Sequence, residues 1–171
     1  MKLEFSGHNE TYAVEQSLLA LFPGERPVYE PITPGEPAWA KLTLSEGPVL
    51  CTARTELCYG GITGVGISRC RLSQDDYTRE GERRRLLELS FFKAARSVTG
   101  ATPPWGSLIG VRPDKIAVRA LEAGKTPAQT DRLLRDTYYV TSSRRRLALE
   151  TASAGLAARR DLGPRDIAVY V

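Results

Sequence analysis

The segment PPWGSLIGVRPDK, residues 103–115, divides the chain into a first part rich in strand patterns and a second part rich in helix patterns. Its prolines fix the backbone angle φ, and its two glycines permit backbone angles that other residues avoid. The segment is therefore predicted to follow one defined, non-helical course in which the large indole of Trp105 is buried. We expect a boundary here, with an α/β subdomain over 1–100 and a hinge plus helical subdomain over 101–171.

A helix is predicted to begin within this segment, because Pro113 suits a first helical position, where a missing N–H costs nothing. Its apolar residues recur on one face at the helical period, and Gly124 is placed to end it in a left-handed conformation. Arg112, Lys115 and Arg119 fall on another face. The sequence thus predicts a buried stripe with a cationic stripe, formed by these three residues, beside it.

Alternating apolar and polar residues predict strands in the first part of the chain. A strand opens the chain at its first residues, and the helix after it has Asn9 as its expected cap. The runs 38–45 and 49–54, joined by a Glu-Gly-Pro turn, predict an antiparallel pair. The glycine-rich run 60–66 lacks the Gly-Lys-Ser/Thr ending of a phosphate-binding loop, so we interpret it as a flexible hairpin connection into a strand at 67–72.

Helices are predicted for most of the remaining sequence. A long one stops at Gly100, and the run Thr126-Pro127-Ala128-Gln129 gives the next a cap, an early proline and a capping box. A further helix begins near Thr141, with four residues expected inward: Leu149, Ala152, Ser153 and Leu156. The final residues 166–171 predict a strand. These patterns together predict an α+β fold, with a small antiparallel sheet and helices at the N-terminus followed by a C-terminal helical cluster.

Composition narrows the possible chemistry. With 171 residues, 42% of them hydrophobic, the chain is long enough to bury a core. Cys51, Cys58 and Cys70 match neither a disulfide framework nor paired Cys-x-x-Cys ligands, so reduced thiols are expected. His8 is the only histidine, so the sequence indicates neither a metal site with several histidine ligands nor a Ser-His-Asp triad. We assign no catalytic and no metal-ligating residue.

Charge is distributed unevenly along the chain. The net charge of +4 combines −4 over residues 1–78, from 6 basic and 10 acidic side chains, with +8 over residues 79–171, from 18 and 10. A basic helical part attracts nucleic acid, a multiply anionic small molecule or an acidic protein surface, and it is also typical of a solvated helical surface. Neither a secretory signal nor a membrane-spanning run is recognised, so no membrane partner is expected and the cytoplasm is the default location.

Seven residues of the dividing segment follow the order W-G-x-L-x-G-x-R-P-x-K: Trp105, Gly106, Leu108, Gly110, Arg112, Pro113 and Lys115. The segment resembles one that precedes the catalytic domain in HemZ-type coproporphyrinogen dehydrogenases. The order of features that follows is also similar, and the resemblance is specific from about Thr99 to Val171. In that family the last strand runs directly into the Cys-x-x-x-Cys-x-x-Cys loop of a radical S-adenosylmethionine barrel.

The resemblance implies that these residues form the N-terminal, non-catalytic domain of an oxygen-independent coproporphyrinogen III oxidase of haem biosynthesis. It implies a [4Fe-4S] cluster and S-adenosylmethionine for the parent protein, whose radical takes hydrogen from a propionate side chain and leaves a vinyl group. No cofactor is expected in the fragment itself. The expected partner is the parent's own C-terminal radical S-adenosylmethionine domain.

The resemblance also suggests a role for four residues. We expect Trp105, Arg112, Lys115 and Arg119 to dock the radical domain or to help present coproporphyrinogen III, which bears four carboxylates that cations can bind. The alternatives are a nucleic-acid-binding module, for which Arg83, Arg84 and Arg85 supply further cations, and a general protein-interaction module. Nucleic-acid binding is disfavoured because neither clustered aromatics nor a recognition helix is evident.

Overall fold

The computed structural model describes residues 1–110 and 112–160. Within them the element order is β1 (Lys2–Ser6), α1 (Thr11–Leu21), β2 (Ala38–Glu46), β3 (Cys51–Tyr59), β4 (Ile62–Cys70), α2 (Asp76–Thr99), α3 (Pro113–Glu122), α4 (Pro127–Asp136) and α5 (Ser142–Arg160). The chain forms two compact units, and the boundary between them lies between Thr102 and Pro103. The strand expected at 166–171 lies outside the described residues.

The first unit holds one four-stranded sheet in the order β1-β2-β3-β4. The α+β class is confirmed, and β2, β3 and β4 are antiparallel, as expected. The prediction of a wholly antiparallel sheet is wrong, because β1 pairs with β2 in parallel. Parallel neighbours need a crossover connection, and α1 with the loop after it provides this connection.

One face of the sheet is packed by α1 and α2. Alternate residues of β2, among them Ala40 and Leu42, are fully buried, as are Leu18 of α1 and Phe91 of α2. Burying side chains of this size supplies most of the stabilisation of a small domain. The long helix α2 ends at Gly100, whose φ of 66° is left-handed, so that predicted stop is confirmed.

The glycine-rich run has a different role from the one predicted for it. Strand β4 begins at Ile62 rather than at residue 67, so most of the run belongs to a strand and the flexible connection is wrong. A Cβ at Gly66 would lie 2.6 Å from the Ala94 nitrogen, and one at Gly64 would lie 2.8 Å from the Ala94 oxygen. The two glycines therefore allow the backbone of β4 to approach the backbone of α2 closely.

The predicted cap of α1 is also wrong. Glu10, not Asn9, holds the cap position, and its side chain accepts no cap hydrogen bond. The Glu10 carboxylate instead accepts a hydrogen bond from Nε of Arg84 at 2.9 Å, while the Glu10 amide donates to Nδ1 of His8 at 3.2 Å. No side chain therefore caps α1, and the Glu10 carboxylate contacts α2 instead.

The second unit is a cluster of the three helices α3, α4 and α5. The capping box at Thr126 and Gln129 is confirmed. Gly124 has a φ of 81°, and the amides of Gly124 and Lys125 each donate at 3.0 Å to carbonyls of the last turn of α3, so the predicted left-handed ending is confirmed. Ser153 of α5 is exposed, so its predicted inward orientation is wrong.

Candidate functional site

The dividing segment is tied to the residues that follow α4. The Ser107 amide donates to the Tyr138 carbonyl at 2.8 Å, and the Ser107 hydroxyl donates to the same oxygen at 3.2 Å. Thr141 donates its amide at 3.1 Å and its hydroxyl at 2.9 Å to the Pro104 carbonyl. Two segments more than thirty residues apart thereby hold each other in one conformation.

Gly106 is the residue that allows this close approach. Its φ of 60° is left-handed, and a Cβ there would lie 2.6 Å from the Tyr139 carbonyl oxygen. Any other residue would be strained in its backbone and would also displace the crossing segment. Tyr139 itself has a φ of 59°, an uncommon value for a tyrosine.

Trp105 serves mainly as a packing residue of the second unit. It is half-buried and lies against an apolar cluster that includes Leu108, Leu134 and Val140. The Arg144 guanidinium carbon lies 5.4 Å from the centroid of the indole, within the range of a cation–π interaction. No pattern in the sequence indicated this contact.

Arg112 stands at the beginning of α3. Its guanidinium donates to both oxygens of Asp114, through Nη2 at 2.9 Å and Nε at 3.4 Å. These hydrogen bonds hold the pKa of the Asp114 carboxyl below its ordinary value. The Arg112 side chain remains 71% exposed, so its guanidinium faces solvent while it is paired.

Lys115 and Arg119 lie one helical turn apart on the exposed face of α3. In the part of the chain that the structure describes, neither side chain has an ion-pair or hydrogen-bond partner. Ala117 and Ala120, on the opposite face, are buried and give α3 its packing surface. The two cationic side chains therefore face solvent next to each other.

The four residues expected to act together form two groups. The predicted cationic stripe is formed by Arg112, Lys115 and Arg119, all of which are exposed; Arg112 holds the cap position before α3, and the other two lie on α3. Trp105 belongs to the apolar cluster, and Ile116 of α3 packs against that cluster from the buried side of the helix. The stripe therefore faces solvent, whereas the indole packs against the apolar cluster on the other side of α3.

Among the described residues of the second unit, most other arginines are already engaged. Arg145 donates from Nε to Asp131 at 2.7 Å and from Nη1 to the Val140 carbonyl at 2.9 Å, in a partly buried position. Arg146 lies 4.0 Å from Glu150 on the surface of α5. The three consecutive arginines 144–146 therefore have three different roles.

The arginines at the start of α2 are paired as well. Arg83 and Arg79 both contact the Glu46 carboxylate. Arg84 pairs with Glu10 and with Glu80, one helical turn before it on α2. Paired cations are less available to a phosphate backbone than solvated ones, which weighs against the nucleic-acid alternative.

The three thiols do not fit an iron–sulfur cluster. Cys51 is the first residue of β3 and Cys58 is the last but one, so the two lie at opposite ends of the strand. Because they are seven positions apart, an odd number, their side chains project from opposite faces of the sheet. Over residues 1–110 and 112–160, no group of three His, Cys, Asp or Glu side chains is placed to hold a metal ion. No step of a reaction is therefore assigned to a cluster in this chain.

A membrane-spanning helix would need both length and apolar character, and none of α1 to α5 combines them. Comparisons with known proteins find no significant match: no protein-family model, no curated protein and no solved structure is similar to this chain.

Proposed function

We propose that this chain is the non-catalytic N-terminal module of an oxygen-independent coproporphyrinogen III dehydrogenase. In this proposal the cationic stripe of α3 binds carboxylates, either those of the radical S-adenosylmethionine domain or those of the porphyrinogen substrate. The observation that carries the proposal is the exposed placement of Lys115 and Arg119 on the helix that follows the W-G-x-L-x-G-x-R-P-x-K segment, where neither side chain has an ion-pair partner among residues 1–110 and 112–160.

The geometry of the stripe suits a ligand with several carboxylates. Residues one turn apart on a helix have Cβ atoms about 5–6 Å apart, which lets two side chains reach one carboxylate or two neighbouring ones. Charge-assisted hydrogen bonds from lysine and arginine to carboxylates are stronger than neutral ones. Arg112 adds a third cation, whose pairing with Asp114 fixes the guanidinium close to the helix.

The test uses the full-length parent enzyme under anaerobic conditions. The triple variant Arg112→Gln, Lys115→Gln and Arg119→Gln removes the stripe. The matched control changes Lys125, Arg132 and Arg146 to glutamine, which removes the same charge from exposed positions elsewhere in the second unit. We expect the stripe variant to lower kcat/KM for coproporphyrinogen III by about 10- to 100-fold and the control to change it little.

The kinetic constants separate the two forms of the proposal. A higher KM with unchanged kcat indicates that the stripe binds substrate, whereas a lower kcat with weaker association of the two domains indicates docking. Turnover and domain association that stay at the wild-type level in the stripe variant would contradict both forms. Salt-sensitive binding of a generic single-stranded RNA, lost in the stripe variant alone, would support the nucleic-acid module instead.

A further inference from the structure

Cys51 and Cys70 lie directly opposite each other in the ladder between β3 and β4. Residues paired in this way project from the same face of a sheet, with Cβ atoms about 4.5–5.5 Å apart. A disulfide joins residues whose Cα atoms are about 4.4–6.8 Å apart, a range that includes directly opposite residues of antiparallel strands. The backbone of the hairpin therefore places the Cα atoms of two free cysteines within the disulfide range, and a small approach of the two strands brings their Cβ atoms to the separation of about 3.5–4.5 Å that a disulfide needs.

The two thiols differ in their access to solvent. Cys51 is only 2% exposed and belongs to the core cluster of the first unit, whereas Cys70 is partly exposed and packs against the same cluster. Reagents from solvent thus reach Cys70 first, with Cys51 behind it. Burial raises the pKa of both thiols, so we expect slow exchange.

Charged side chains surround this end of the hairpin. The Cys51 thiol is within electrostatic range of Glu46, Arg79 and Arg83, and the Cys70 thiol is within range of Glu82 and Arg85. Arginines near a thiol favour its thiolate and carboxylates disfavour it.

We propose that Cys51 and Cys70 are a redox-sensitive pair that forms a reversible disulfide by exchange with a small-molecule disulfide such as glutathione disulfide. The Cys70 thiolate attacks one sulfur of glutathione disulfide, forms a mixed disulfide and releases one glutathione thiolate. The Cys51 thiolate then attacks the Cys70 sulfur and releases the second glutathione. Two protein thiols are oxidised, one glutathione disulfide is reduced to two glutathione molecules, and the two protons pass through solvent to the released thiolates.

The disulfide is expected to stabilise the first unit against unfolding. It closes a loop of about 20 residues that contains the whole β3–β4 hairpin, and closing such a loop restricts the unfolded chain. Since β4 packs against α2, the oxidised first unit resists unfolding more than the reduced one. This inference is independent of the proposed function, because it concerns only residues of the first unit.

Cys58 provides a matched control within the chain. It is also buried and lies on the same strand as Cys51, but it pairs with Thr63 and projects from the opposite face. A bridge from Cys58 to either other cysteine would require the sheet to open. Selective pairing of Cys51 with Cys70 is thus the result that distinguishes the native hairpin from an unfolded chain.

The experiment incubates the folded full chain with a glutathione and glutathione disulfide mixture at mildly alkaline pH and follows intact mass and peptide maps. We expect the loss of two hydrogen atoms, one peptide pair joining Cys51 to Cys70, a rise of several degrees in Tm and full reversal by dithiothreitol. Cys58→Ser should retain all four results, and Cys70→Ser should lose them. Circular dichroism checks that each variant is folded.

Other results would overturn the inference. A stable mixed disulfide at Cys70 without a cross-link would show that Cys51 does not reach it. Cross-links to Cys58 would show reaction of an unfolded chain. An unchanged mass in the folded wild-type chain, under conditions in which the urea-unfolded chain forms disulfides, would show that the pair is inert; this outcome needs no variant.

Discussion

Replacing Glu88 with glutamine is expected to change how the stability of the first unit depends on pH. Glu88 lies on α2, largely removed from solvent, and desolvation raises the pKa of its carboxyl from 4.5 to about 7, with Glu10 contributing in the same direction. The positive charges of Arg85 and Arg84 lower this pKa, but by less than desolvation raises it. Between these two pH values the folded chain therefore binds a proton that the unfolded chain has released.

The sign and size of the effect follow from this difference. A folded-state pKa above the unfolded value contributes stability that is present below pH 4.5 and is lost as the pH rises through about 7. One pKa unit corresponds to about 1.4 kcal/mol, so the shift sets an upper limit of about 3.5 kcal/mol. Allowing for the remaining solvent access of the side chain, we expect about 2 kcal/mol.

Urea unfolding of wild-type and Glu88→Gln proteins at pH 5 and pH 8 measures this effect. A neutral amide has no proton to lose, so the free energy of unfolding of the variant relative to wild type should be about 2 kcal/mol higher at pH 8 than at pH 5. Glu30→Gln, at an exposed carboxyl of the same unit, controls for the loss of one negative charge. A variant-to-wild-type difference that is the same at both pH values would refute the reasoning.

Three further substitutions test the packing and capping arguments through the urea midpoint. Gly66→Ala should destabilise the first unit by about 1–3 kcal/mol because its Cβ overlaps the backbone of α2, whereas Gly81→Ala, in an open helical position, should be neutral or stabilising; equal effects would contradict the close approach of β4. Gly106→Ala should cost the second unit about 2 kcal/mol or more, and an unaffected midpoint would show that the left-handed turn is not required. Thr126→Ala should cost about 1 kcal/mol through the lost capping box, and a variant as stable as wild type would show that this cap contributes nothing.

Local signals in the sequence were sufficient for many elements. The alternation from Ala38 onward identified β2, and the helix that Gly124 ends was found from its period and its cap. The antiparallel neighbours β2 and β3 follow one another in the chain, so a single turn signal was enough to pair them. Each of these features depends on residues close together in sequence.

The features that sequence analysis missed depend on distant residues. The parallel pairing of β1 with β2 requires the path of α1 and its loop, which no strand pattern contains. Gly64 and Gly66 suggested flexibility, whereas the backbone of α2, more than twenty residues away, requires them to lack side chains. The cap of α1 was misplaced by one position, because Glu10 holds that position without a side-chain cap hydrogen bond that a sequence signal could indicate.

The candidate site shows the same division. The helical period placed Lys115 and Arg119 on one exposed face, because the apolar residues of α3 define the other. The separate position of Trp105 was not predictable, since its partners come from α4 and α5 and its ring faces Arg144.

The dependence of kcat/KM on ionic strength, measured in the full-length enzyme that we propose as the parent of this chain, tests the central claim most directly. If the stripe binds carboxylates, added salt should lower kcat/KM of the wild type and of the Lys125, Arg132 and Arg146 control variant with the same slope, since salt screens exposed charges. The variant lacking Arg112, Lys115 and Arg119 should start lower and respond less to salt. A stripe variant with the rate and salt response of the wild type would contradict the proposal that this face of α3 binds carboxylates.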